Sequence, residues 1–195
     1  HSFPTRRSSD LYPVLYQKMA ELVYPRKIKV NISSILPNTV KYRRLGDIFG
    51  MSPVNIYYSL YTANDQIRKK LMPNAMHWHL ALDKLVELET TNQNSNIAFH
   101  WAFIKNVNDN QTDIEEMMRE INIRKFNRTK FNLVRLNPPT GTDFVEPPID
   151  ELTKLFTIIA KNMANNSKFH NSRIIPRVGP DVFASCGMFI NDSDV

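Results

Sequence analysis

Residues 54–73 read VNIYYSLYTANDQIRKKLMP, and this stretch decides the fold. From Val54 to Leu60, apolar and polar side chains alternate, which is the period of two expected for a β-strand with one buried face. After Asn64 the pattern becomes helical, and Pro73 stops it because proline cannot continue a helix. A strand followed directly by a helix is the repeating unit of α/β proteins with parallel sheets.

The same unit recurs along the chain. Further strands are predicted at residues 28–32, 97–104, 131–136 and 172–178. Pro176 keeps the last of them short or at a sheet edge. The apolar spacing of amphipathic helices is present at residues 15–23, 78–85, 114–121 and 152–159. This alternation predicts an α/β protein with a parallel sheet, and ligands of such proteins bind at the carboxyl ends of the strands.

The composition is that of a basic chain without disulfides. Its 195 residues include 25 Lys and Arg against 19 Asp and Glu, a net charge of +6. This balance suits an anionic partner such as RNA, although many basic proteins bind no nucleic acid. One cysteine cannot form a disulfide framework, and no apolar run reaches the roughly 18 residues of a membrane span. We therefore expect a cytoplasmic protein.

The chain is expected to hold one domain after a short foreign segment. Residues 1–11, HSFPTRRSSDL, match no pattern downstream and resemble translated adapter sequence, so they do not contribute to the predicted fold. Residues 12–195 are long enough to bury a core of their own.

Four short motifs give the chain a family resemblance. They are SLYTANDQIRKKLMP (59–73), IKNVND (104–109), NLVRLNP (132–138) and GPDVFASCG (179–187). In this order they resemble the C-terminal half of the radical S-adenosylmethionine (SAM) RNA methyltransferases, which methylate adenine C2 in large-subunit ribosomal RNA and in transfer RNA. They also resemble the relatives that methylate adenine C8. The resemblance covers about residues 12–190.

The resemblance implies an architecture and a set of cofactors. The fold is expected to be an incomplete (β/α)6 radical SAM barrel with only its later strands, followed by a tail that carries the cysteine. The expected cofactors are SAM and a [4Fe-4S] cluster, which needs an electron donor. The family holds the cluster with a Cys-x3-Cys-x2-Cys motif, so the ligands are expected outside this chain, which has one cysteine. The fragment alone is expected to be inactive.

The resemblance also assigns a cofactor site. Ser59, Leu60 and Tyr61 stand at the Ser-Leu-His of the family, and its members contact SAM there. Asn137 stands where the family has an asparagine that contacts SAM, and Asn31 stands where the family usually has a serine at the end of an earlier strand. Because these residues close predicted strands, we expect them to converge on one end of the parallel sheet. No metal site is predicted, since His77 and His79 are poorly spaced for one helical face and lack a third ligand.

Cys186 is the candidate catalytic residue. By itself, a cysteine among small residues near a chain end is usually a small buried hydrophobe. Residues 179–187, however, resemble the family's Gly-x-Asp-x-x-Ala-x-Cys-Gly, in which the cysteine carries a methyl group. A thiolate is a strong nucleophile toward a sulfonium methyl. In the family, a radical then removes hydrogen from the bound methyl group, and the resulting carbon radical adds to the adenine ring.

Several residues depart from the family pattern. Tyr61 replaces the histidine, Phe183 replaces an aspartate and Met188 replaces a glutamine. His100 stands where the family commonly has a glutamate, and a lone histidine among aromatic residues is more often a pocket residue than a catalyst. Two alternatives stay open: a radical SAM enzyme of the same lineage with another substrate, and a non-catalytic basic α/β module that binds RNA. A Cys-x3-Cys-x2-Cys motif upstream in the complete gene favours an enzyme.

Overall fold

The computed structural model describes residues 29–138, 141–163 and 172–176, together with Lys18 and Glu21. Within these residues, strands and helices alternate. The strands are β1 (Val30–Ser34), β2 (Val54–Ser59), β3 (Asn96–Trp101), β4 (Lys130–Val134) and β5 (Arg173–Ile175). The α-helices are α1 (Leu45–Phe49), α2 (Asp65–Leu71), α3 (Trp78–Thr91), α4 (Gln111–Ile123) and α5 (Ile149–Asn162).

The described strands form one parallel sheet in the order β1-β2-β3-β4-β5. Each helical crossover therefore brings the chain to the next strand in the same direction, as repeated βαβ connections do. Because all strands point the same way, their carboxyl ends lie along one edge of the sheet, here called the carboxyl edge. Their first residues lie along the opposite edge, the amino edge. The predicted α/β class with a parallel sheet is confirmed.

The helices cover one face of the sheet and bury its apolar side chains. Tyr58, Phe99 and Phe131 of the three central strands are completely buried there. The helices add to the same core Trp78, Leu82, Leu85, Leu88, Ile114, Met117, Met118, Ile121, Leu152 and Ile159. Burying a side chain of the size of phenylalanine contributes about 1.5–3 kcal/mol, so this face holds the fold together. None of the described helices is long and apolar enough to span a membrane.

The other face of the sheet, here called the open face, is mainly polar. Side chains alternate between the two faces of a strand, and parallel partners in register share a face. The polar residues on this face are Asn31, Ser33, Asn55, Tyr57, Ser59, Asn96, His100, Lys130, Asn132 and Arg173. A sheet with one apolar and one polar face explains why alternation was visible in the sequence.

Asparagine caps determine where two of the helices begin. Asn64 Oδ1 accepts hydrogen bonds from the backbone N–H groups of Gln66 (3.0 Å) and Ile67 (3.1 Å), so α2 begins at the predicted residue. Asn110 Oδ1 accepts one from the N–H of Asp113 (2.8 Å) at the start of α4. These caps satisfy N–H groups that have no partner inside the helix, and each typically contributes about 1 kcal/mol.

The first strand ends later than its pattern predicts. Alternation indicated a strand at residues 28–32, whereas β1 extends to Ser34. Ser34 is buried on the helix-covered face, where hydropathy leads one to expect an apolar residue. Its hydroxyl accepts a hydrogen bond from the N–H of Leu36 (2.9 Å), which compensates for the burial of a polar group. The helix α1 has only 5 residues, too few to show a period in the sequence.

Candidate functional site

The carboxyl edge brings together most of the predicted cofactor residues. Ser59 is the last residue of β2, and Leu60 and Tyr61 follow it directly. Asn137 follows the end of β4, immediately after Leu136. Tyr61 packs at this edge against a small apolar cluster made by Leu71, Met72, Ala102, Ile104 and Leu136. The segments that leave β2 and β4 therefore share one cluster.

Asn31 lies at the opposite edge of the sheet. It pairs in register with Asn55, which precedes Ser59 on β2 by about 13 Å of extended strand. The prediction that Asn31 closes its strand and converges with the others is therefore wrong, because β1 continues to Ser34. Asn31 Oδ1 accepts a hydrogen bond from Asn55 Nδ2 (2.7 Å), and Asn55 Oδ1 accepts one from Asn96 Nδ2 (3.1 Å). These three amides form a ladder along the amino edge.

Leu60 supports the carboxyl edge through its backbone. Its side chain points to the helix-covered face and is completely buried in the main core. Its N–H donates to the carbonyl of His100 (2.9 Å), and its carbonyl accepts from the N–H of Thr62 (2.8 Å) and from Arg68 Nη1. Arg68 Nη2 also donates to the hydroxyl of Tyr58 (2.7 Å), whose pKa is raised by burial and lowered to a smaller extent by the guanidinium. The end of β2 is thereby fixed to α2.

Tyr61 adopts a backbone conformation that is rare for an aromatic residue. Its φ is +60°, in the left-handed region, and it is the central residue of the turn closed by the Thr62 N–H and the Leu60 carbonyl. Asn108, which is completely buried, holds this conformation by donating from Nδ2 to the Tyr61 carbonyl (2.7 Å). Strained backbone of this kind persists where the surroundings enforce it, and it concentrates at functional sites.

The loop that carries Asn137 is anchored by an ion pair. Arg135 Nε donates to Glu146 Oε1 (2.9 Å), and Arg135 Nη2 donates to Glu146 Oε2 (2.6 Å). These hydrogen bonds raise the pKa of Arg135. Glu146 Oε1 also accepts from the N–H of Leu136 (2.7 Å), the residue before Asn137. The position of Asn137 is thus set by a charged pair and a backbone hydrogen bond.

A row of polar residues crosses the open face next to this edge. Ser59 pairs in register with His100, His100 with Asn132, and Asn132 with Arg173. His100 Nε2 and Asn132 Nδ2 are 2.9 Å apart, and the ring centroid of Tyr57 is 4.9 Å from that of His100. The row therefore continues sideways from Ser59 across three further strands.

The His100–Asn132 pair is neutral and has an unused hydrogen-bonding atom. Burial, and then the charge of Lys130, lower the pKa of His100 to about 4, so the ring is uncharged at neutral pH. Its Nε2 accepts from Asn132 Nδ2, which leaves the ring proton on Nδ1. Asn132 is 2% exposed, and its Oδ1 has no hydrogen-bond partner in the part of the chain that the structure describes. A buried acceptor without a donor costs about 1–3 kcal/mol, so this atom fits an N–H or O–H group of a ligand.

Acid is expected to destabilise the fold through His100. Below about pH 6.5 an unfolded histidine binds a proton, whereas folded His100 stays neutral down to about pH 4. Because the unfolded state binds more protons in this window, stability falls as the pH is lowered through it, by about 3 kcal/mol in total. The variant His100→Gln should lose this part of the pH dependence. Denaturant unfolding of the full-length protein at several pH values measures the effect.

The comparison that decides this experiment is between the wild type and His100→Gln. If the wild type and His100→Gln lose the same stability between neutral pH and pH 4.5, His100 is not held neutral in the folded protein.

Cys186 lies outside the described residues, and so does the tail motif, residues 179–187, to which it belongs. Among the described residues, no three His, Cys, Asp or Glu side chains are grouped as a metal site requires.

Comparison with known proteins identifies an RNA methyltransferase among the relatives. The chain is 26% identical over 196 aligned positions to the dual-specificity RNA methyltransferase RlmN of Francisella tularensis subsp. holarctica. The match covers 97% of this chain and 49% of that protein, so the chain spans about half the length of the curated relatives it matches. No family model matches the chain. The resemblance predicted from the four motifs is confirmed.

Solved structures show the same fold. A radical SAM methyltransferase from Sphaerobacter thermophilus superposes with a TM-score of 0.61 at 21% identity, over 81% of this chain and 43% of that one. A domain of a pyruvate-formate lyase-activating enzyme from Bacteroides vulgatus superposes with a TM-score of 0.66 at 11% identity, over 90% of this chain and 100% of that domain. The expected architecture, an incomplete radical SAM barrel, is confirmed.

Proposed function

We propose that the protein containing this chain is a radical SAM enzyme that methylates RNA, and that this chain builds part of its SAM site. One observation carries the proposal: Ser59, Tyr61 and Asn137 each end or follow a strand at the carboxyl edge of a radical-SAM-type sheet. Ligands of parallel α/β folds bind at this edge. The similarity to an RNA methyltransferase over 97% of the chain supports RNA as the substrate.

The residues at this edge fit the neutral, nucleoside part of SAM. The Ser59 hydroxyl and the Asn137 amide can each donate and accept hydrogen bonds, as base edges and ribose hydroxyls require. The unpaired Oδ1 of Asn132 adds a buried acceptor in the register row of Ser59. When bound, SAM supplies the methyl group and the radical that starts its transfer. This chain positions it with backbone that Arg68 and Asn108 hold in place.

This chain alone cannot bind the [4Fe-4S] cluster. A [4Fe-4S] cluster of this type needs three thiolates, and the chain has one cysteine. The ligands, and the contact with an electron donor, therefore belong to parts of the protein outside this chain.

The finer proposal concerns the residue that carries the methyl group and the RNA atom that receives it. Cys186 holds the methyl group as a thioether, and the acceptor is a ring carbon of adenine in ribosomal RNA or transfer RNA. The motif at residues 179–187 supports this assignment. A free thiolate requires reducing conditions, which suits a cytoplasmic location.

A second candidate is a radical SAM enzyme of the same lineage that acts on another substrate. Two observations favour it, and both concern side chains of the site. Tyr61 stands at the carboxyl edge in place of a histidine, and neutral His100 stands on the open face in place of an acid. Either change alters what the pocket can hold.

Binding of S-adenosylhomocysteine to the full-length protein tests the proposed site. We expect Asn137→Ala and Asn132→Ala each to weaken binding about tenfold, the cost of removing one hydrogen bond to a ligand in a partly buried site. Isothermal calorimetry measures the affinity.

Asn31→Ala is the matched control, because this amide lies on the same face but at the amino edge. It should change the affinity less than twofold. Equal losses for Asn31→Ala and Asn137→Ala would rule out a site restricted to the carboxyl edge.

A further inference from the structure

A short loop after β1 presents an aromatic ring to solvent between basic residues. The loop joins the carboxyl end of β1 to α1 and contains Lys41, Tyr42, Arg43 and Arg44. Tyr42 is 89% exposed, which is the largest value among the exposed large hydrophobic residues of the described chain. The Nζ of Lys41 lies 4.7 Å from the centroid of its ring.

The backbone of this loop is held in place although the side chains of Tyr42, Arg43 and Arg44 are exposed. The carbonyl of Arg43 accepts a hydrogen bond from Nζ of Lys84 on α3 (2.6 Å), and the N–H of Arg43 donates to the carbonyl of Val40 (3.1 Å). Val40 is buried and anchors the loop to the core. A held backbone fixes the position of Tyr42 on the surface, so a partner binds without first ordering the loop.

The charges around Tyr42 are only partly neutralised. Arg44 pairs with Glu87 on α3. Within the described part of the chain, no ion pair involves Lys41 or Arg43. Two cations therefore flank an exposed aromatic ring on the loop that leaves the carboxyl end of β1.

We propose that Lys41, Tyr42 and Arg43, here called the Tyr42 patch, bind RNA: an unpaired base stacks on Tyr42, and the two cations contact the flanking phosphates. Aromatic rings interleaved with basic residues are the usual platform for single-stranded nucleic acid. The loop follows the carboxyl end of β1 and is held against the middle of α3 through Lys84 and Glu87. This inference rests on the proposed function, since it supplies a docking point for the RNA substrate.

An acidic protein surface is a weaker match to the patch. It can pair with Lys41 and Arg43, but it offers no flat base to stack on the ring of Tyr42. A nucleotide offers both a flat base and a phosphate within one repeating unit. The net charge of +6 on the chain adds long-range attraction to a polyanion.

Fluorescence anisotropy with the full-length protein and a labelled single-stranded oligoribonucleotide tests the proposal. We expect Tyr42→Ala to weaken binding about tenfold and Tyr42→Phe to bind like the wild type, because stacking needs the ring and not the hydroxyl. We expect Lys41→Gln/Arg43→Gln to lower the magnitude of the slope of log affinity against log salt by about 1.4, which is about 0.7 for each phosphate of a single strand that the protein no longer neutralises. S-adenosylhomocysteine affinity should stay unchanged in all of these variants.

Two exposed lysines on α5 provide the matched control. Lys154→Gln/Lys161→Gln removes the same charge elsewhere on the surface and should leave the salt slope unchanged. Unlabelled polyglutamate is the competitor that represents an acidic protein, and it should displace the RNA poorly.

The outcomes separate the patch from the proposed function. If the wild type binds RNA and Tyr42→Ala binds it equally well, the Tyr42 patch is not the RNA-binding site, while the proposed function stands. If polyglutamate competes as well as RNA at equal charge, the patch recognises charge alone, and no base stacks on Tyr42. If the wild type does not bind the oligoribonucleotide, the Tyr42 patch is not an RNA-binding site, and methylation of RNA by the full-length protein then decides the proposed function separately.

Discussion

Cys186→Ala is expected to abolish methylation of RNA by the full-length protein. If the methyl group travels on the Cys186 thiolate, alanine has no atom that can hold it, and turnover should fall by at least about a thousandfold. The fold should be retained, because replacing one small side chain typically costs on the order of 1 kcal/mol. Methylated adenosine in digested RNA, measured by mass spectrometry, gives the activity.

The neighbouring residue supplies the control for this variant. Ser185→Ala makes a change of similar size one position earlier and should keep most of the activity. S-adenosylhomocysteine binding should be the same in both variants, because neither position belongs to the proposed cofactor site. A Cys186→Ala protein that still methylates RNA at the wild-type rate would mean that Cys186 has another role, and it would favour the second candidate function.

Asn108→Ala is expected to damage both the stability and the cofactor affinity of the protein. The Asn108 amide holds three backbone groups, accepting from the N–H of Ile104 (2.6 Å) and donating to the carbonyls of Tyr61 (2.7 Å) and Ala102 (3.0 Å). Leaving these groups unpaired in a buried place should cost about 3 kcal/mol or more. The left-handed conformation of Tyr61 also loses its main restraint, so the carboxyl edge should no longer be preorganised for SAM.

Asn38 is a suitable control for Asn108. Its amide makes a single exposed hydrogen bond to the carbonyl of Ala75 (3.2 Å), so Asn38→Ala should cost less than about 1 kcal/mol. Thermal unfolding measures stability, and calorimetry with S-adenosylhomocysteine measures the site. An Asn108→Ala protein that melts like the wild type would show that these hydrogen bonds do not support the edge.

The order of the elements was predictable because hydropathy follows burial closely in this fold. β2 and α2 carry period-two and helical patterns with an asparagine cap and a proline stop, and both elements agree with the prediction. The end of β1 was misplaced because Ser34 is a polar residue in a buried position, and its hydrogen bond to Leu36 is not visible in the sequence. That misplacement is also the reason why Asn31 was put at the wrong edge of the sheet.

The site was only partly predictable, because its support depends on contacts between distant segments. Ser59, Tyr61 and Asn137 could be located, since strand ends mark the ligand edge of a parallel sheet. The role of Asn108 in holding Tyr61 is a contact across 47 positions of sequence. His100 and Asn132 become a pair only through the register of β3 and β4. An asparagine within an apolar strand was the one sequence feature that could have indicated Asn132.

Mass spectrometry of the tryptic peptide that contains Cys186 tests the central claim most directly. Full-length protein is incubated with SAM bearing a deuterated methyl group and a reductant, without RNA, and the peptide is then analysed. The proposed function predicts a labelled methyl group on Cys186, and its loss when RNA is added. RNA that becomes methylated while the Cys186 peptide never carries the label would contradict transfer through this residue.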